Sequence, residues 1–232
     1  MTELSELRKH VPNPLDPHEY SYAYLGKCFE RITAYRRQAA YAARTSPRSV
    51  LLIGKGDGLT IRFLEQAGFS VVCMDIEALM APSIVASVHQ IPVRDGAIDV
   101  SVCCAVLEHL PWEYFLLSLR ELRRVTCDAL VLSVPDIRRC MTFSFKGPRV
   151  SKWQFEFELQ ASFPVRPNRP IPKEKLAKMG HYWEIGYEGV TKSVVKQALR
   201  SAGWNTLETW RPFHIEWPES FFYCRAVEVP PR

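Results

Sequence analysis

The residues of this chain best suited to moving a proton are His109, within VLEHL, and the pair His181 and Glu184, within HYWE. An imidazole titrates near neutrality, and a carboxylate three positions on can hold its ring in one tautomer. If the group to be attacked is a hydroxyl, His109 and His181 are the base candidates and Glu184 the orienting acid. Each has a structural reading as well: His109 can cap the helix that follows it, and His181 with Glu184 can anchor a covering segment. The His-x-x-Glu spacing is not that of a helical zinc motif, so no metal is expected. The isolated histidines His10, His18, His89 and His214 read as surface or packing residues.

A second chemical feature is the turn in SVLLIGKGDGLT, where Gly54, Gly56 and Gly58 follow an apolar run. Glycines there permit a tight turn and close backbone approach, and a helix beginning near Leu59 offers unpaired N–H groups. Asp75 closes the next apolar run, 21 positions after Gly54. A carboxylate at that place can accept hydrogen bonds from both hydroxyls of a ribose. Turn and acid together point to an adenosine-containing cofactor. A nicotinamide dinucleotide fingerprint would need glycine at position 59, where Leu59 stands. Gly-x-Gly-x-Gly instead favours S-adenosylmethionine, which has no pyrophosphate to hold. Gly54, Lys55, Gly56, Asp57, Gly58 and Asp75 are the cofactor-facing candidates. Asp57 has two readings, one facing the cofactor's ammonium and one serving the turn.

Elements that alternate between strand and helix must position these groups. Val50–Ile53 reads as a short buried strand and 59–67 as a helix capped by Gly68; FSVVCMD and SIVASV read as the second and third strands. AIDVSVCCAVL is apolar on both faces, as a central parallel strand must be, and PWEYFLLSLRELRRV opens with proline and keeps helical spacing. ALVLSVPD is a fifth strand, TKSVVKQALRSAGW a late helix, and TLETWRPF and FFYCRAVEV two closing strands. The fold class predicted is α/β, a doubly wound, mostly parallel sheet of Rossmann-like type.

The block from Pro82 to Val125 closely resembles the class I S-adenosylmethionine-dependent methyltransferases. That family runs from LPF-x-D-x-x-FD into its fourth strand, then VLEHL, then a helix ending EL-x-RV. The matching residues here are Ile91-Pro92-Val93, Asp95, Ile98-Asp99, then Val106-Leu107-Glu108-His109-Leu110 and Glu121-Leu122-x-Arg124-Val125. LSVPD at 132–136 is similar to the family's fifth strand, and GHYWEIG followed by a helix and AGW to its late region in one branch. The resemblance covers 48–136 and 180–228. It implies a seven-stranded methyltransferase sheet with an antiparallel last strand, and it adds Ile76, Ser87, Val88 and Val106 to the cofactor-binding set. Where the family carries acids before the first glycine and after the third strand, this chain has Leu52 and Ser87.

The remaining expectations concern organisation and partners. Residues 1–45 read as an arm and helical cap, and 46–232 as the methyltransferase domain, with an irregular insertion at about 137–180. Between 138 and 178 stand ten basic residues against three acids, a local balance of +7 that exceeds the +5 of the whole chain. Long stretches without regular structure inside a domain are often functional lids. A cap over the acceptor is therefore expected, with Arg138, Arg139 and Trp153 as substrate-binding candidates, the arginines for an anionic acceptor. The seven cysteines form no C-x-x-C pair and read as free thiols of a reducing compartment. The start of the chain has no signal-peptide core, and no transmembrane segment is expected, so a cytoplasmic location follows. The modest charge does not suggest nucleic acid. The function expected is methyl transfer from S-adenosylmethionine to a small-molecule, lipid-like or glycan-precursor acceptor. The alternatives are a binding or scaffold protein on the same fold and, less favoured, an NAD(P)-dependent oxidoreductase.

Overall fold

The apolar run Ser49–Ile53 forms a strand buried on both faces, as near-continuous β-branched and leucine sequence does inside a parallel sheet. In the computed structural model the described residues are 29–146, 156–163, 176, 180–187, 189–211 and 219–227. In chain order they form α1 (Phe29–Ala42), β1 (Ser49–Ile53), α2 (Leu59–Gln66), β2 (Ser70–Asp75), β3 (Ile84–Val85) and β4 (Ile98–Cys104). Then come α3 (Trp112–Val125), β5 (Thr126–Pro135), β6 (Arg139–Lys146), β7 (Glu156–Phe163), α4 (Lys192–Ser201), β8 (Trp204–Trp210) and β9 (Glu219–Ala226).

Seven strands make one sheet in the order β3-β2-β1-β4-β5-β9-β8. The pairings β2–β3, β1–β2, β1–β4 and β4–β5 are parallel, and β9 runs antiparallel to both β5 and β8. The order reverses between β1 and β4, which opens a crevice beyond the carboxyl ends of those two strands. Alternate residues of β1 feed two cores. Leu51 and Ile53 pack with Met74, Leu130 and the α3 and α4 residues Phe115, Leu119, Leu122, Val195 and Leu199. Val50 and Leu52 pack with Cys73, Val102, Ala39 and Ala42 of α1, and Leu64 of α2. Leu119, Leu122 and Leu199 are fully buried, each worth about 1.5–3 kcal/mol relative to exposure.

Helix ends follow local chemistry. Gly68 takes a left-handed φ of 90° just past α2, as its place predicts. Pro111 stands one place earlier than expected, as the N-cap of α3 with an extended ψ of 147°. Thr191 caps α4 through its side chain.

The segment read from sequence as irregular contains an antiparallel hairpin. β6 and β7 pair from Arg139 with Phe163 to Lys146 with Glu156. RCMTFSFK and EFELQASF both alternate with period two, a signal that the surrounding prolines and charges obscured. Residues 1–28 and Trp153 lie outside the described residues. Among the described residues, no helix is long and apolar enough to cross a membrane.

Candidate active site

At the first crevice wall the chain leaves β1 through three left-handed glycines, Gly54, Gly56 and Gly58, at φ of 79°, 54° and 80°. The Gly54 N–H donates to the Met74 carbonyl at 2.8 Å, holding the turn against β2. A β-carbon on Gly54 would meet Val106 Cγ2 at 2.6 Å, whereas one on Gly56 or Gly58 would meet nothing within 4 Å. The turn thus packs on one side and is open on the other. Asp57 Oδ1 accepts from the Leu59 N–H at 3.0 Å and so serves the first turn of α2.

Asp75, at the end of β2, is held by two backbone donors. Its Oδ2 accepts from Lys55 N at 2.8 Å and its Oδ1 from Glu77 N at 2.9 Å. The Lys55 ammonium reaches the carbonyls of Met80 and Ala81 at 2.6 and 3.0 Å and ties the glycine turn to the loop after β2. Ile76 is half-buried against the core. Ser87 and Val88 are buried, and Ser87 Oγ lies 2.8 Å from His89 Nδ1. Leu52, where an acid is customary, is buried in the layer beneath α1 and α2.

The second wall begins where β4 ends. Ala105 adopts a left-handed φ of 53°, uncommon for a residue with a β-carbon. The turn it starts presents Val106 to Gly54 and then winds Leu107–His109 into one 3-10 turn. Glu108 is completely buried, and neither carboxylate oxygen hydrogen-bonds to another described residue. Burial pushes its carboxyl up to about 8, against the opposing pull of His181.

Residues 180–187 are laid over this turn by backbone bonds. Ile185 forms a parallel bridge with Asp136, donating to the Pro135 carbonyl and accepting from Ile137 N. The Tyr182 N–H donates to the Glu108 carbonyl at 2.8 Å, and Trp183 Nε1 to the Leu110 carbonyl at 3.0 Å. The Trp183 ring sits edge-on to Trp112 and Phe115 at centroid distances of 4.8 and 4.9 Å. This brings together His109 and His181, 4.9 Å apart between ring centroids. His181 Nδ1 lies 2.6 Å from Glu184 Oε1, and His109 Nδ1 lies 3.0 Å from the Gly180 carbonyl. Burial holds the His109 imidazole below the usual histidine range, partly offset by that carbonyl. A carboxylate-oriented imidazole beside a second, neutral one can accept a proton or bind an electrophile. Sequence reasoning named His109, His181 and Glu184 but gave Glu108 no role. Its signal was a lone acid directly after Leu107, the last residue of the predicted fourth strand.

The substrate-binding candidates are distributed differently. Arg138 pairs with Asp136, Nε to Oδ1 at 2.8 Å and Nη2 to Oδ2 at 2.5 Å. Arg139 begins β6.

Residues 51–129 match a family model described as a methyltransferase domain. No curated protein matches the sequence. Among solved structures, magnesium protoporphyrin IX methyltransferase from Synechocystis PCC 6803, with bound S-adenosylmethionine, is 13% identical. That match covers 97% of this chain and 98% of that one at a TM-score of 0.61. The 1,6-didemethyltoxoflavin-N1-methyltransferase of Burkholderia thailandensis, with S-adenosylhomocysteine and 1,6-didemethyltoxoflavin bound, is 14% identical over 94% of both chains, at 0.57. The cyclase SpnF, at 11% identity over 84% of this chain and 82% of its own, reaches 0.56. At such identities the likeness is one of fold.

Proposed function

Taking the chain as a member of the class I S-adenosylmethionine-dependent methyltransferase family, we propose that it transfers a methyl group to a small acceptor at the mouth of β4. The carrying observation is Asp75, whose carboxylate is fixed by two backbone N–H groups beside the open side of the glycine turn. In this reading the residues present fit the cofactor. Asp75 accepts from the ribose hydroxyls, Gly54, Lys55, Gly56 and Gly58 line the methionine side, and Ile76, Ser87 and Val88 flank the adenine. Val106 closes the turn from beneath. Leu52 supplies no carboxylate there, so the ammonium end relies on backbone groups and water.

When bound, the sulfonium supplies an activated methyl group, and catalysis then rests on in-line positioning and exclusion of water. The chain's contribution is to hold the acceptor against His109 and His181. His181, oriented by Glu184, takes a hydroxyl proton where the acceptor carries one. The β6–β7 hairpin that follows Asp136 is the candidate cover for the acceptor. Arg138 reaches an anionic group only by sharing its bond to Asp136. The oxidoreductase reading is set aside because Leu59 breaks the dinucleotide fingerprint, and the scaffold reading because Asp75 and the open side of the glycine turn still fit a cofactor.

Calorimetric titration with S-adenosylmethionine, S-adenosylhomocysteine and NAD is the test. The two sulfur ligands are expected to bind and NAD is not. Asp75→Ala should weaken binding by about 1–3 kcal/mol, the range for hydrogen bonds that include a charged partner, with thermal unfolding as the control for fold. Absence of heat with both sulfur ligands would overturn the proposal.

A further inference from the structure

The acceptor wall contains an electrostatic problem that the proton-transfer reading leaves unsolved. Glu108 is fully buried with both carboxylate oxygens unpartnered among the described residues, and a buried acid without a partner is costly. One ligand atom from each of Glu108, His109 and His181 lies within 4.8 Å of the other two. We propose that these three side chains bind one divalent transition-metal ion.

Three observations carry this. First, both imidazoles are already dressed as ligands. Nδ1 of His181 faces the Glu184 carboxylate and Nδ1 of His109 faces the Gly180 carbonyl. Metal-binding histidines are oriented in this way through the ring nitrogen that does not touch the ion. Each bond places the proton on Nδ1 and leaves the lone pair on Nε2. Second, the spacing is near that of a loaded site. Ligand atoms about 2.1 Å from a common ion stand about 3.5 Å apart in a tetrahedron, so side-chain shifts of roughly an ångström close the set. Third, the two supports are fixed to each other, since the Tyr182 N–H and the Trp183 indole bind the Glu108 and Leu110 carbonyls.

Two imidazoles and one carboxylate suit Zn²⁺, Fe²⁺ or Mn²⁺ better than the all-oxygen preference of Mg²⁺ or Ca²⁺. Three protein ligands leave a position for an oxygen ligand, either water or a hydroxyl or carboxylate of an acceptor, and with the ion bound the Nε2 lone pair of His181 is taken, so the ion would replace His181 as the group that activates that hydroxyl. That second role rests on the methyl-transfer reading, whereas ion binding does not. The sequence could not show the site. His109 and His181 are 72 positions apart, and the His-x-x-Glu spacing pointed away from a metal because Glu184 supports a ligand and is not one.

The test uses the full chain, stripped with a chelator and then titrated with Zn²⁺ alone. Calorimetry and elemental analysis after dialysis are expected to give one ion per chain. Glu108→Gln and His181→Ala should each abolish stoichiometric binding, and Glu184→Gln should weaken it about 10–100-fold. The Co²⁺ form should lack a thiolate charge-transfer band, which separates the site from the seven cysteines. Glu108→Gln replaces a buried, unpartnered acid with a neutral amide of the same shape and should unfold no earlier than wild type without metal, so its loss of zinc cannot be ascribed to misfolding. Failure of wild type to bind Zn²⁺, equal binding by Glu108→Gln and His181→Ala, or a thiolate band would each overturn the proposal. Zinc binding without S-adenosylhomocysteine binding would refute the methyl-transfer reading and keep the metal site; the converse would do the opposite.

Discussion

Gly54 carries two separate demands, and substitution should reveal both. Its φ of 79° is a region that costs a residue with a β-carbon about 1–2 kcal/mol. Its β-carbon would also stand 2.6 Å from Val106 Cγ2, a short and stiff side chain. Gly54→Ala should therefore lower stability by about 2–4 kcal/mol, strain and overpacking together. Gly56→Ala meets nothing within 4 Å, and should cost only about 1–2 kcal/mol while its methyl intrudes on the open side of the turn. Urea unfolding and titration with S-adenosylhomocysteine separate the two. Equal stabilities would mean that Val106 yields freely and that the turn is not packed from beneath. Asp57 shows the limit of reading single residues. Its carboxylate had two plausible partners, and the bond to Leu59 N depends on a turn geometry that spacing alone does not specify.

At the scale of elements, the EL-x-RV end of α3 explains itself as a fastening. Arg124 donates to both Glu121 oxygens, to Asp95 Oδ1 at 2.6 Å, and to the Ile91 and Val93 carbonyls. Glu121 in turn accepts from Ile91 N at 3.0 Å. The loop that enters β4 is thus pinned to the helix that leaves it, so the motif that carried part of the family resemblance positions a strand. The Arg124 bonds, helped by the Ile91 N–H, outweigh the upward push of burial and hold the Glu121 carboxyl below its ordinary 4.5. A depressed folded value means the contribution is complete above about pH 4.5 and is lost as pH falls below it. Arg124→Ala should cost about 1–2 kcal/mol near neutrality, the partly exposed guanidinium being screened. The gap from wild type should narrow in acid when urea midpoints are compared across pH. A gap constant down to pH 3 would show that the pair does not carry the effect. The strands β1, β4, β5 and β9 were legible because they are buried on both faces and their apolar runs are nearly unbroken. β6 and β7 were not, since their alternation lies among prolines and like charges that suggest a loop. The packing of 180–187 over the Leu107–His109 turn was equally invisible, because it joins segments some seventy positions apart through a backbone bond from Tyr182 N and the indole and ring contacts of Trp183, which no local spacing announces.

Across the whole molecule, the candidate site depends on a carboxylate that takes no part in it. Asp136 is completely buried at the end of β5 and gathers groups from four parts of the chain. Ser220 of β9 donates to it at 2.6 Å, Arg138 binds both its oxygens, and Lys192 of α4 lies 3.9 Å away. Arg211 donates to its carbonyl at 2.8 Å and places a second nitrogen 4.0 Å from its carboxylate. Its backbone also bridges to Ile185, on the segment that carries His181 and Glu184. Burial alone would raise this carboxyl, but the bonds from Arg138 and Ser220 and the nearby charges outweigh it and the net shift is downward. Removing the anion leaves three cations facing one another in a poorly solvated place, and breaking a buried pair from one side costs about 3–5 kcal/mol. Asp136→Asn should lose about that much near neutrality. Because the folded value is depressed, wild type should approach the variant only as pH falls below the ordinary aspartate value of 3.8. The same substitution should reduce zinc affinity while S-adenosylhomocysteine affinity holds, since Asp75 and the glycine turn belong to β1 and β2 on the other side of the crevice. Parallel losses of both ligands would show instead that Asp136 supports the sheet as a whole and does not specifically hold the second wall.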